Sequence, residues 1–219
     1  MPGFLLEKAL ELEQKGIVFG VDEVGRGCLA GPVVAACVAF DWSKPEVICE
    51  LNDRVVIRDS KLMSRVQRMK AAKAIREVAT VFGIGEVDSV TIDEINILQA
   101  TFEAMRRAVG DACRRERFET VPYVRDVTRF MIDGNKTVPG VDWNQEAIID
   151  GDAKVFSIAA ASIVAKEYRD SLMEVLHETY PQYGFAQHKG YGTKQHYAAI
   201  TEYGIISEHR KTFLKGIKG

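Results

Sequence analysis

The strongest limit on the architecture of this chain comes from two short apolar runs near its start. Residues 17–22 (Ile17-Val18-Phe19-Gly20-Val21-Asp22) and residues 32–40 (PVVAACVAF) are β-branched and apolar, so both are expected as strands. The glycines between them predict a tight turn, hence an opening hairpin. After it, strand and helix patterns alternate. Ser64 is placed to N-cap a helix reaching about residue 78, with Val66, Met69, Ala72 and Ile75 on one stripe, and residues 79–87 (ATVFGIGEV) read as the next strand. In the following helix Ile95, Leu98, Phe102, Met105, Val109 and Ala112 recur at helical spacing and are assigned to the core. Arg106, Arg107, Arg114 and Arg115 fall largely on its other side.

Residues 128–132 (TRFMI) and 147–150 (AIID) are further short apolar runs, each leading into an acid. A long helix is predicted over residues 153–179, stopped by Tyr180-Pro181, then a glycine-punctuated loop and a shorter helix over residues 193–203. This order predicts an α/β fold: a mixed β-sheet flanked by α-helices, with a C-terminal helical segment. With 219 residues, 47% of them hydrophobic, and no repeat or linker, one domain over residues 1–219 is expected.

The formal net charge of −2 excludes a uniformly basic nucleic-acid binder, so any such site must be local. Cys28, Cys37, Cys49 and Cys113 show no C-x-x-C spacing, which fits a reducing compartment. Residues 1–16 carry acids within a short amphipathic pattern, expected to form a helical turn or two, and lack the apolar stretch of a signal peptide. No segment approaches the ~20 apolar residues of a membrane span, so a cytoplasmic protein without a membrane partner is expected.

Four carboxylates stand out by position. Asp22 and Glu23 end the first strand, Asp133 ends a later one, and Asp152 precedes the long helix. Taken singly, each has an ordinary structural reading: Asp133-Gly134-Asn135 is a good turn, and Asp152 can cap a helix. Taken together, they can converge on one sheet edge. An unpaired buried charge costs several kcal/mol, so such a cluster needs a cation. Carboxylates without a nearby histidine favour Mg²⁺ or Mn²⁺, and two such ions about 4 Å apart are a standard clamp for attack at a phosphodiester. Gly25-Arg26-Gly27, just behind, is too short for a phosphate-binding P-loop or dinucleotide fingerprint, but it lets backbone approach a ligand.

Asp22-Glu23-Val24-Gly25-Arg26-Gly27, with Leu29-Ala30-Gly31-Pro32-Val33-Val34 behind it, resembles the signature of the ribonuclease HII family. The resemblance continues in order through Asp59-Ser60-Lys61 with Ser64, Ile132-Asp133-Gly134-Asn135 and Gly151-Asp152. It goes on through Ala160-Ala161-Ser162-Ile163-Val164-Ala165-Lys166, the Tyr180 to Phe185 and His188-Lys189-Gly190-Tyr191 segments, and His209-Arg210 with Phe213. It implies a ribonuclease-H-like fold in which Asp22, Glu23, Asp133 and Asp152 bind two divalent ions. It further implies that the backbone of Gly25, Arg26 and Gly27, with the Tyr191 hydroxyl, recognises a ribose 2′-OH. The implied substrates are RNA/DNA hybrids and DNA duplexes containing ribonucleotides, cut on the 5′ side of the ribonucleotide to leave 3′-hydroxyl and 5′-phosphate ends. No obligate protein partner is implied, and a monomer is expected.

Lys61, Ser162, Lys166, Arg169 and Lys189 are candidates for phosphate contacts, the middle three sharing a helix face by their spacing. His188 is expected to face the duplex backbone. The chain also departs from the family. Asp150 stands where many members have lysine, Thr212 where serine is common, and residues 45–58 form a longer stretch than usual before Asp59. A junction resolvase or integrase-like nuclease would instead cut all-DNA substrates, and a silent hybrid-binding protein would bind without product.

Overall fold

The structure is a computed structural model that describes residues 2–3, 7, 17–42, 45–115 and 128–215. The helical turn expected within residues 1–16 lies for the most part outside the described residues, as does the side chain of Arg115. Five strands form one sheet: β1 (Val18–Val24), β2 (Val33–Ala39), β3 (Val81–Val87), β4 (Arg129–Asp133) and β5 (Asn144–Ile148), in the order β3-β2-β1-β4-β5. The hairpin makes β1 antiparallel to β2, and β3 continues antiparallel on its far edge. On the other side β4 runs parallel to β1 and β5 parallel to β4, so the sheet is mixed as expected.

Around it lie α1 (Pro45–Arg54), α2 (Arg65–Val78), α3 (Ser89–Arg115), α4 (Gly151–Lys154), α5 (Phe156–Thr179), α6 (Phe185–His188) and α7 (Lys194–Tyr203). Strand residues alternate between faces. Phe19, Val21, Ala35 and Cys37 pack with Phe102, Met105 and Val109 of α3, whereas Val34, Ala36 and Val38 pack with Phe156, Ile163 and Val164 of α5. The first ten residues of α5, from Phe156 to Ala165, are all buried, so this helix is clad on every side. It sits so close to β1 that a Cβ on Gly20 would stand 2.1 Å from the Ser157 carbonyl carbon. Only glycine leaves room for that contact.

Several elements depart from their expected shape. Ser64 caps α2 in a reciprocal capping box with Gln67, as its position predicts. The buried face of α2, however, is Ala71, Ala72, Ala74 and Ile75, while Val66 and Met69 are exposed at 62% and 48%. The helix tucks only its C-terminal half under the core, so the predicted stripe is half right. In α3 Asn96 takes a left-handed φ of 66°, and its Oδ1 accepts from the amides of Leu98 and Gln99. It is thus the cap of a second helical stretch in which Phe102, Met105, Val109 and Ala112 are buried, whereas Ile95, before the break, is exposed. β5 starts at Asn144 and stops at Ile148, earlier than the predicted 147–150. The helix predicted from residue 153 is split at Val155 (φ −119°, ψ 124°), whose side chain packs with Val18, Met131 and Ile158. Residues 45–54, given no element by the sequence patterns, form α1.

Candidate active site

The β1–β4 register brings the first and third acids together. Val21 pairs with Ile132, so Asp22 and Asp133 are the next step along two parallel strands, about 4.8 Å apart at the backbone. Val18 and Met131 face α5, and by alternation so do Asp22 and Asp133. Asp133 Oδ1 accepts from the amides of Gly151 (2.7 Å) and Asp152 (3.3 Å), which fastens the start of α4, and with it Asp152, to the end of β4. Glu23 alternates to the other side, where it borders a groove with Leu98, Phe102, Met105 and Asp133. Its Oε1 accepts from Arg26 Nη1 at 3.0 Å.

Lys61 also reaches the cluster. Asp59 Oδ1 accepts from the Lys61 amide, Ser60 and Ser162 share a buried hydrogen bond of 3.0 Å, and Lys61 Nζ lies 3.5 Å from Asp152 Oδ2. The Ser162 hydroxyl also acts on Asp22, favouring its charged form against burial. This buried serine therefore braces an acid. Asp150 points away: its side chain is 75% exposed, 4.0 Å from Lys154, on a residue whose φ of 55° is left-handed.

Asp22, Glu23 and Asp133 carry their charge reluctantly. Burial, then the charges of Glu23 and Asp133, hold the Asp22 carboxyl well above the usual range. Burial likewise raises Glu23 against the pull of Arg26. Burial and Asp152 raise Asp133, although two amides and Lys61 oppose them. Partial burial works against the Lys61 ammonium, yet Asp152, Asp59 and Asp22 outweigh it and raise its pKa. Among the described residues no three acidic, histidine or cysteine side chains are closed into a ready metal cage. The donor chemistry nevertheless fits hard divalent cations: oxygen donors only, crowded and desolvated, with too little positive charge to balance them.

A second group of residues forms beside the acids. Gly25 has a φ of +92°, and a Cβ there would stand 2.2 Å from Arg169 Nε, so the turn rests directly on that guanidinium. The Leu29 amide donates to Gly190 O, Cys28 bridges Tyr191, and the Lys166 ammonium sits 5.8 Å from the Tyr191 ring centre. Gly25, Arg26 and Gly27 follow directly on Asp22-Glu23, and the Cys28 bridge brings Tyr191, 41% exposed, to the far end of that turn. Gly27 has open space around it.

The predicted phosphate contacts divide. Arg169 is corrected: it is fully buried, and its guanidinium donates to the carbonyls of Pro32, Lys189 and Ala30, so it has no reach to a bound duplex. Helical spacing predicts its face but not the loop that covers it. Lys166 and Lys189 stay near the surface but are paired with Asp170 and Glu174, at 2.7 and 2.6 Å.

The expectation for His188 is corrected too, because it is buried and its Nε2 donates to Tyr183 O while Nδ1 accepts from the Gly190 amide. His196 Nδ1 must donate to Tyr191 O, which leaves its Nε2 to accept from His209 Nε2, while His209 Nδ1 accepts from the Ile206 amide. Every nitrogen of the three rings is used in the neutral form. Burial lowers all three, His196 and His209 to about 4. Sequence patterns gave no sign of this network, nor of Asp93, which accepts from the amides of Lys211 and Thr212 and from the Thr212 hydroxyl.

Sheet order, flanking helices and strand-end acids define an α/β protein of the ribonuclease-H-like class. Solved structures agree on the fold. Ribonuclease H2 from Pyrococcus horikoshii OT3 gives a TM-score of 0.64 at 24% identity, covering 92% of this chain and 96% of that one. Bst-RNase HIII in complex with Mn²⁺ gives 0.67 at 17% identity, covering 96% and 73%.

The family model for ribonuclease HII matches residues 19–215. Ribonuclease HII of Clostridioides difficile (strain 630) is 45% identical over 205 residues, covering 93% of this chain and 72% of the relative. That of Polynucleobacter asymbioticus is 47% identical over 196 residues, covering 90% and 92%. The chain belongs to the ribonuclease HII family, and it is a metal-dependent endoribonuclease of the ribonuclease H kind. No helix among the described residues is long and apolar enough to cross a membrane.

Proposed function

We propose that the enzyme hydrolyses the phosphodiester on the 5′ side of a ribonucleotide, in RNA/DNA hybrids and in DNA duplexes with embedded ribonucleotides, leaving 3′-hydroxyl and 5′-phosphate ends. Asp22, Glu23, Asp133 and Asp152 would hold two divalent ions, Mg²⁺ or Mn²⁺; a relative in fold is a Mn²⁺ complex. When bound, such ions supply an activated water and neutralise charge on the leaving oxygen. The protein's own part is to crowd and desolvate the acids. Glu23, held by Arg26, would be one of the ligands, while Asp133 keeps Asp152 in place through its amide hydrogen bonds.

The main chain of Gly25, Arg26 and Gly27 and the Tyr191 hydroxyl would read the 2′-OH, the group that distinguishes RNA from DNA at a given position. Lys61 would meet the backbone phosphate beside the acids, with Lys166 and Lys189 further along the strand. Residues 17–213 would work as one catalytic domain, in a cytoplasmic monomer that needs no protein partner for turnover.

The observation that carries this reading is the alignment of Asp22 with Asp133 in the β1–β4 register, with Asp152 tied to Asp133. The test is a DNA duplex with one ribonucleotide, and its all-DNA twin, incubated with Mg²⁺, Mn²⁺ or chelator, followed by mapping of the ends. A metal-dependent cut 5′ to the ribonucleotide alone is expected. Equal cutting of the all-DNA twin, or cutting in chelator, would refute it.

A further inference from the structure

Under the Gly25–Gly27 turn lie two arginines that no carboxylate pairs with directly, although the charge of Asp93 favours Arg210 from further off. Arg169, from α5, and Arg210, from the segment after α7, are both fully buried. Among the described residues neither lies within ion-pair distance of an acid. Their partners are main-chain carbonyls. Arg169 Nε donates to Pro32 O at 2.9 Å, Nη1 to Lys189 O at 2.8 Å and Nη2 to Ala30 O at 3.1 Å. Arg210 Nε and Nη2 donate to Gly31 O at 3.1 and 2.8 Å, and Nη1 to Arg26 O at 2.9 Å.

Burying a guanidinium without a counter-ion is a poor way to stabilise a core, since apolar side chains of similar volume serve as well or better. What the pair achieves is geometric. The chain from Arg26 to Pro32 is irregular, and carbonyls buried there need donors that no sheet ladder supplies. Arg210 holds the middle residue of the turn, Arg26, while Arg169 holds Ala30 and Pro32 behind it and Lys189 on the facing loop, two residues before Tyr191. Burial pulls the Arg210 pKa down to about 10, so it remains charged at neutral pH and all its donors stay available.

We propose that Arg210 and Arg169 are positioning residues that fix the gap between the Gly25–Gly27 main chain and Tyr191, and thereby set how sharply the enzyme tells ribose from its 2′-modified forms. This rests on the reading of that turn and Tyr191 as the 2′-OH reader. A planar fork with several fixed donors can hold separate carbonyls at set distances; a lysine ammonium cannot.

The experiment compares single-turnover cleavage of two duplexes identical except at one nucleotide, which is either ribose or 2′-deoxy-2′-fluoro, by the wild type, Arg210→Lys and Arg169→Lys. The ratio of the two rates is independent of how much enzyme is folded, so a purely structural lesion lowers both rates and leaves the ratio alone. Expected is a compression of the ratio by about 100-fold for Arg210→Lys, the scale of a misplacement near 1 Å, and less for Arg169→Lys. Where Arg210→Lys does not fold, Arg169→Lys carries the same test. A wild type that discriminates alongside variants that keep its ratio overturns this inference alone. A wild type that cuts both duplexes equally overturns the 2′-OH reader and this inference together.

Discussion

The acid cluster and the clamp around Tyr191 are neighbours built on opposite principles. The acids are left electrostatically unfinished: Asp22, Glu23 and Asp133 are desolvated, and Asp22 and Asp133 are pushed further up by neighbouring carboxylates. In the clamp every ring nitrogen of His188, His196 and His209 has its partner, and two guanidinium groups are spent on carbonyls. One region stores a demand for cations, and the other stores shape. Perturbations should therefore separate them, the acids answering to charge and the clamp to geometry.

The largest separation is expected from Asp22→Asn. Turnover should fall by about 1000-fold or more, while stability in chelator stays level or rises, because one member of a buried like-charged group is gone. Single-turnover rates and urea melts of the same samples would decide it; near-normal turnover breaks the contrast.

Acid should act next, and in opposite directions on the two regions. The folded pKa values of His196 and His209, near 4, lie below the unfolded value of about 6.5, so the unfolded chain binds more protons in between. Their contribution is complete above pH 6.5 and is lost as pH falls toward 4, a loss on the order of 3 kcal/mol for each ring. The raised Asp22 has the reverse sign: its folded form takes up a proton first, so acidification relieves it. Urea denaturation in chelator from pH 7.5 to 4.5 should show falling stability, and a steeper fall in Asp22→Asn. A flat profile would mean that the histidines are not locked neutral.

Smaller again is the effect of cation. Mg²⁺ or Mn²⁺ at about 100 times its Kd should stabilise the wild type by roughly 2.7 kcal/mol and Asp22→Asn much less, read as a shift of Tm. Equal shifts in both would place the bound cation elsewhere. The smallest effect is expected from Lys61→Met, a several-fold rise in KM with the salt dependence of binding reduced by about one phosphate contact. An unchanged salt slope would remove Lys61 from the strand path.

Asp22, Glu23 and Asp133 were legible because they close apolar runs, where an acid is conspicuous against strand periodicity, and Asp152 because it stands at the start of the long helix. Their convergence follows from topology, since only the β1–β4 register decides that Asp22 meets Asp133. The clamp was hidden for the converse reason. Arg169 shares a face with Ser162 and Lys166, and nothing in helical spacing tells that residues 30–32 fold over it. The histidines lie at 188, 196 and 209 without a metal-binding spacing, and their partners are mostly carbonyls and amides, which carry no residue signature. Val66 and Met69 mislead in the other direction: periodicity marks an apolar stripe but not how far along a helix the core extends.

Asp133 takes hold of the amides of Gly151 and Asp152 with the same oxygen. That makes the third and fourth carboxylates a single heritable unit. Shortening or re-aiming the side chain of residue 133 also unmoors residue 152, whereas asparagine there keeps an Oδ1 that can accept from both amides. Asp152, by contrast, can be changed without disturbing the Asp133 side chain, so a substitution there removes one proposed cation ligand and leaves its neighbour where it stands.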